Sequence, residues 1–431
     1  MIYLDLALIF FLLLLVLNYR AQRSVLYPPF IFCVMWSLCL AVIRLNIIFN
    51  FVELTPVHGN TLAIVAVGAA SFSLGGLLAG LTPRAFLRTH LYIFPPKQVR
   101  TNDSLRKVLM IVLLCALPVV FYQVLQLSRS QGGGYSILLQ AHQELIEETI
   151  NRDRSPAVVV IGYVSLYAIF TSLLFATDVR DRKFWIVSVI AFIACVLTTG
   201  RVALLILISG LSAIYLLQKK QESLRSAMRF LRWPVALFAF FFIGLIFTNK
   251  PTDKMSGGVI GIATEVGLAS IVSPLAAFDF VVQNPPEFMV TTSHIFDFPL
   301  HLIGTLHLAE YTPPPASDTF LFVPFPTNVY TMYKFYYLEL GFIGTLVFLF
   351  VFGFLHSLLY LKARQGGRFS TYLYAYSIFP LLMVIFADQY YLISVYLRAA
   401  TFGILYFTIG SVPFRLSVTG RRWNLDSQTR S

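Results

Sequence analysis

Long apolar runs separated by short polar or basic stretches recur along most of this chain. A bilayer core takes roughly 20 helical residues, because each backbone polar group there must be paired within its own segment. Eleven runs meet or approach that length: 2–19, 29–49, 61–81, 108–127, 157–177, 184–199, 201–217, 234–249, 339–361, 371–387 and 398–415, of which 184–199 and 234–249 are the shortest. The pattern predicts an all-α, polytopic membrane helix bundle of about eleven transmembrane helices, with residues 1–431 forming one integral membrane domain. Two stretches interrupt it. Residues 128–156 carry "QGGG" and then Leu138, Ala141 and Leu145 at helical spacing, with glutamates on the other face. This reads as an external amphipathic helix hinged by glycine, either a surface flap or a lid. Residues 250–338 form the long external loop. It is too apolar for a linker, and "GVIGIATEVGLASIVSPLAAFDFVV" predicts a helix pair on the membrane surface, followed by the proline-rich "NPPEF" and "YTPPPASD". A loop of this kind is where function concentrates.

Composition strengthens the membrane assignment. The chain is 58% hydrophobic and 12% charged, about half the charged share of a soluble domain. The net charge of +12 would fit nucleic acid, but the placement of the cations argues otherwise. Lys and Arg gather in alternate loops: Arg20 and Arg23, Arg84 to Lys107, Arg180 to Lys183, Lys219 to Arg232, Lys362 to Arg368, and Arg421 with Arg422. This is the positive-inside pattern, and it predicts an external N-terminus and a cytoplasmic C-terminus. The basic loops then meet anionic lipid, and no nucleic-acid partner is expected. Cys33, Cys39, Cys115 and Cys195 all fall inside apolar runs, without zinc or disulfide spacing. No basic region precedes the first run, so it reads as a retained anchor.

On this topology, isolated ionisable residues from distant runs fall near one membrane face. They are Arg44, Arg201, Glu339, Asp388 and Arg398. Charges at such depth tend to face a protein interior or a wet cavity. Each also has a plainer role: Arg44 can snorkel to headgroups, Glu339 can cap its helix or meet Lys334, and Arg398 can pair with Asp388. Arg201 follows Thr199 and Gly200 and opens an apolar run. Backbone N–H groups, a helix N-terminus and a guanidinium fork together suit a phosphate; the alternative is an interfacial anchor. His294, His301 and His307 share the long loop at spacings that fit no zinc pattern, so no metal is expected. His307, with Glu310 nearby, reads as a possible general base or as a surface histidine. No nucleotide or nicotinamide fingerprint occurs, so no cofactor is expected. Tyrosines gather at the same face, among them Tyr336, Tyr337 and Tyr391. Interfacial belts account for part of this, and tyrosines beside carboxylates also suit a sugar.

Two segments carry a resemblance. "TTGRVALLILISG" (198–210) resembles the T-G-R segment of bacterial oligosaccharide repeat-unit polymerases of the Wzy type. "PFPTNVYTMYKFYYLELGFIGTLVFLFVFG" (324–353) resembles their P-x-N-x-x-T stretch, followed by aromatics, an acidic residue and glycine. Glu339 stands where aspartate is common in that family, and the long loop carries no arginine. The resemblance implies a GT-C-like membrane fold in the bacterial inner membrane. It implies an enzyme joining undecaprenyl-diphosphate-linked oligosaccharides at the periplasmic face into O-antigen or a related polysaccharide, without metal or nucleotide sugar. A chain-length-regulating co-polymerase is the implied protein partner. On that basis Arg201 and Arg398, with Thr199 and Gly200, would hold diphosphate. Asp388, Glu339 or His307 would serve as base, and Asn328, Thr331, Tyr336, Tyr337 and Tyr391 would hold sugar. Two alternatives share much of this pattern: an O-antigen ligase using lipid A core as acceptor, and a transporter of lipid-linked sugar or polysaccharide.

Overall fold

The computed structural model describes residues 2–50, 56–82, 103–130, 156–177, 182–197, 201–220, 223–225, 228, 258–285, 293–308, 310–312, 321–323, 326–389 and 393–411. These residues are almost entirely helical. The helices are α1 (Ile2–Gln22), α2 (Pro28–Phe49), α3 (Gly59–Leu81), α4 (Asp103–Ser130), α5 (Pro156–Ala176), α6 (Arg182–Leu197), α7 (Arg201–Gln218), α8 (Gly258–Gln283), α9 (Asp297–Thr305), α10 (Tyr333–Arg364), α11 (Arg368–Met383) and α12 (Ile393–Ser411). A two-residue antiparallel ladder, β1 (Leu321–Phe322) with β2 (Pro326–Thr327), is the only sheet among the described residues.

Ten of the expected spans fall on helices, and the run 234–249 lies outside the described residues, as does 131–155 of the first external segment. Among the described residues, six helices are long and apolar enough to cross a membrane: α1, α2, α3, most of α4, most of α5, and α10. The apolar parts of α6, α7, α8 and α12 are shorter. The outward faces are built for lipid. On α1, Leu6, Leu13 and Leu17 are each more than half exposed, while Phe11 on the opposite side is fully buried.

One expectation is corrected. The segment from Gly258 to Gln283 is a single helix and not a surface pair. Its second half is inside the bundle, with Leu275, Ala277 and Phe278 fully buried. Pro274 lies within it, yet the following apolar residues keep packing against α2, α3 and α10. An apolar face of that kind is stabilised by burial against other helices, not by lying at an interface.

The core has two lobes. One is built from α1, α2, α3, α8 and α10, around Trp36, Phe72 and Tyr333. The other is built from α4, α5, α6, α7 and α12, around Phe170, Leu173 and Phe175. Helix α11 and the end of α7 join them: Tyr374, Ile378 and Leu381 of α11 and Leu216 of α7 enter the first lobe, and Tyr372, Ala375 and Phe379 of α11 enter the second. The most extensive pairing among the described helices is α3 with α10. It depends on glycines. A Cβ at Gly75 would lie 2.1 Å from the Phe350 carbonyl oxygen, and one at Gly353 would lie 2.0 Å from that of Phe72. Backbones this close require small residues, the usual device where lipid supplies no hydrophobic drive between helices.

Specific contacts fix the helix directions. Ser71 Oγ donates to the Leu346 carbonyl at 2.7 Å, and Gly76 lies against Ser357, so α3 and α10 run parallel. Gln218 Nε2 donates to the Ala176 carbonyl at 2.9 Å, which brings the ends of α5 and α7 together. Tyr163 meets Arg398 and Phe175 meets Tyr406, so α5 and α12 are parallel. Met332 N donates to the Val384 carbonyl at 3.1 Å, joining the start of α10 to the end of α11. Tyr376 meets Tyr396, and Tyr372 donates to the Ala399 carbonyl and lies against Gly403, so α11 and α12 run antiparallel, and the starts of α3, α5, α7, α10 and α12 share one end of the bundle with the end of α11.

Candidate functional site

The site is built where the start of α10 meets the segments before α9 and after α11. Helix α10 is broken at Gly341, whose φ of 68° and ψ of −174° lie outside the helical region. Glycine adopts that conformation without a Cβ penalty. The break divides Tyr333–Leu340 from the long spanning part and lets this first piece bed into the bundle.

Glu339 is at the end of that piece, with its side chain 3% exposed. Its carboxylate accepts hydrogen bonds from Ser293 Oγ, from His294 N at 2.7 Å and from Ile295 N at 3.2 Å. The His294 ring has Nδ1 3.8 Å from Oε1 and stacks on Phe335 at 4.0 Å. Ser293 Oγ in turn accepts from Phe296 N at 3.0 Å. A carboxylate receiving several backbone donors is a strong, charge-assisted anchor. Glu339, expected as a base, is thus committed to fixing residues 293–296, the lead into α9.

Lys334 and Asp388 are nearby in the fold and both are buried, at 7% and 2% exposure. Lys334 Nζ lies 3.6 Å from the centre of the Tyr330 ring and 5.0 Å from that of Phe335. A desolvated ammonium over an aromatic face is favourable by roughly 2 kcal/mol. Asp388 follows the turn at Val384 that Met332 grips. Thr331 is buried, and its Oγ1 makes no hydrogen bond. Asn328 is half-buried, beside the local turn in which Val329 N donates to Thr327 Oγ1 at 3.1 Å.

The tyrosines divide. Tyr336 is a core residue, 1% exposed, stacked on Phe348 at 4.7 Å and edge-on to Phe352 at 5.9 Å. It offers no surface to a sugar, which corrects the expectation. Tyr337 is half-buried and edge-on to Phe278 at 6.0 Å. Tyr391 lies outside the described residues.

Arg398 is on the surface of the other lobe, with its guanidinium 5.2 Å from the centre of the Tyr163 ring. Among the described residues it forms no ion pair with Asp388. Arg201 is the first residue of α7; Thr199, Gly200 and the Arg201 side chain lie outside what is described. The first residue of α7 and Arg398 therefore share an end of the bundle with Asp388 and Glu339, while α12 and the first part of α7 belong to the second lobe. Arg44 binds Asp5, Nε to Oδ1 at 2.8 Å, so it ties α2 to α1.

His307 closes α9. His307 N donates to the Gly304 carbonyl at 3.0 Å and Leu308 N to that of Ile303 at 3.1 Å, while His307 has a φ of 55°. This is a Schellman ending, with histidine where glycine is usual. The exposed His307 ring borders an open cleft of about 620 Å3, together with His301, Thr305, Glu310 and Tyr311. The Tyr311 hydroxyl donates to Asp297, which braces the cleft wall.

One cluster was not expected. Asp279, 5% exposed near the end of α8, accepts from Thr61 Oγ1 at 2.5 Å and from His58 N at 3.2 Å. Its second oxygen lies 2.9 Å from His58 Nδ1. The His58 side chain is 60% exposed. The carboxylate caps the start of α3, where a negative charge is favoured, and holds the imidazole by one edge. A lone acid in the apolar stretch "AAFDFVV" was the available signal. It escapes notice once that stretch is read as a surface helix.

No family model matches this chain, and no curated protein or solved structure matches it either.

Proposed function

We propose that the protein is a membrane glycosyltransferase that polymerises undecaprenyl-diphosphate-linked oligosaccharide repeats. The fold is read as GT-C-like, in a bacterial inner membrane, with N-terminus and active site on the periplasmic side and C-terminus in the cytoplasm. The observation that carries the reading is the end of the bundle shared by the first residue of α7, Arg398, Asp388 and the start of α10. It gathers cations and acids at one level of an otherwise lipid-suited helix bundle, and two of its contributors, the first residue of α7 and the start of α10, are on the segments that resemble the polymerases. A polyprenyl diphosphate arrives from the bilayer with its charge at such a level. Arg201 and Arg398 would stabilise the departing diphosphate as charge develops on it. Asn328 and Tyr337 remain as half-buried groups to meet sugar.

The test is the length distribution of lipid A-linked glycan in a deletion strain carrying wild type or Arg201→Ala. Wild type gives a ladder, and Arg201→Ala at equal protein level gives core with one repeat. Loss of every repeat on deletion would assign a ligase instead. An unchanged ladder on deletion would remove the polymerase reading, and lipid-linked sugar accumulating on the cytoplasmic side would favour a transporter.

A further inference from the structure

We infer that His58 is the general base of this transferase, with Asp279 as its positioning residue; the assignment rests on the polymerase reading above. A carboxylate can only accept hydrogen bonds, so the bond to Asp279 requires the proton of His58 to be on Nδ1. The lone pair of the neutral ring is then on Nε2, at the opposite edge. That edge belongs to a ring that is 60% exposed, whereas Asp279 itself is buried and fixed by three donors. A buried carboxylate that sets the tautomer and orientation of an accessible imidazole is the arrangement that general-base catalysis needs. The other base candidates lack it: Glu339 holds the backbone it anchors, Asp388 is 2% exposed, and among the described residues no hydrogen bond orients the exposed His307 ring.

The position fits the substrate. His58 immediately precedes α3, at the end of the bundle where α10 and α12 begin, and Asp279 is adjacent to Phe278, whose ring meets Tyr333 and Tyr337. An acceptor sugar hydroxyl gives its proton to His58 Nε2. Its oxygen bonds to the anomeric carbon of the donor glycan, and the bond from that carbon to the diphosphate oxygen breaks. The electron pair leaves with undecaprenyl diphosphate, and the imidazolium returns its proton to water. No oxidant or metal enters this balance.

His58→Asn separates this role from helix capping. The asparagine amide N–H takes the place of Nδ1–H and keeps the bond to Asp279, while Nε2 is lost. The assay uses the purified full-length protein in nanodiscs, with an undecaprenyl-diphosphate-linked repeat as both donor and acceptor, and follows chain lengthening by mass. Expected for His58→Asn is an unmoved melting transition, a donor KM within about twofold and a kcat lowered by at least about 100-fold. Asp279→Asn is expected to lower kcat by at least about tenfold, again without a change in KM. If wild type lengthens the glycan and His58→Asn keeps more than about a third of its kcat, the base assignment fails while the polymerase reading stands. If both variants lose activity only in proportion to lost folded protein, the pair is a helix cap and the assignment fails. If wild type lengthens nothing, the polymerase reading fails and the base goes with it.

Discussion

Replacing Gly353 with alanine tests the contact on which the α3–α10 pairing depends. The new Cβ would lie 2.0 Å from the Phe72 carbonyl oxygen, 2.8 Å from its carbon and 3.0 Å from its Cα. All three are backbone atoms, so no side chain can rotate away. Ordinary contact begins at 3.4 Å, so the helices must part locally by about 1.4 Å. A gap of even 0.5–1 Å forfeits roughly a quarter to a half of a dispersion contact. Leu349 and Tyr333, which lie against Gly68 farther along the same seam, would share that loss. Overpacking of this kind costs about 1–3 kcal/mol, and backbone opposition puts Gly353→Ala near 3 kcal/mol. The control is Gly162→Ala on α5, where an added Cβ meets nothing within 4 Å. There alanine gains about 1 kcal/mol from helix propensity. The assay is thermal unfolding of the purified protein in one detergent. Gly353→Ala should melt about 5 °C or more below wild type, and Gly162→Ala at or above it. Equal melting of Gly353→Ala and wild type, or an equal fall in both variants, would refute backbone contact as the basis of the pairing.

Two further outcomes follow from the loop. Glu339→Ala removes the acceptor for Ser293 Oγ, His294 N and Ile295 N and should lower stability by about 3 kcal/mol. Activity per folded molecule should survive, and a variant that melts normally yet is inactive would restore Glu339 as a base. His307→Gly relieves a left-handed residue at the end of α9 and should stabilise that helix by about 1 kcal/mol. Slower amide hydrogen exchange across 301–308 measures it, and unchanged or faster exchange would contradict the cap.

Helix positions were legible because lipid imposes a length and an apolarity that composition alone displays. The expected spans at 29–49 and 61–81 differ from α2 and α3 by no more than two residues at either end. The start of α10 was less legible. Its expected span begins at Glu339, whereas the helix begins at Tyr333, because a buried piece precedes the break at Gly341. Apolar scanning registers residues that meet lipid. It has no way to register Lys334, whose charge is accommodated by the rings of Tyr330 and Phe335. Tyr336 was misassigned for the related reason that a tyrosine can lie wholly in an aromatic core, here against Phe348 and Phe352.

The Asp279 cluster shows where sequence reading stops and packing begins. Hydropathy treats 258–283 as one apolar stretch, equally suited to an interface or to a bundle. What decides is the area offered by partners: Leu275 and Phe278 are fully buried because α2, α3 and α10 leave a slot for them. Once α8 takes that slot, Asp279 is carried to the His58 amide, the His58 ring and the Thr61 hydroxyl at the start of α3, 221 residues away in sequence from His58. A buried carboxylate there would be costly without donors. Three donors meet it, so a residue unfavourable to the helix alone becomes the tie between α8 and α3. The orientation of His58 is set by that tie, so the loop expected to carry function reaches the start of α3 through a carboxylate buried in the bundle.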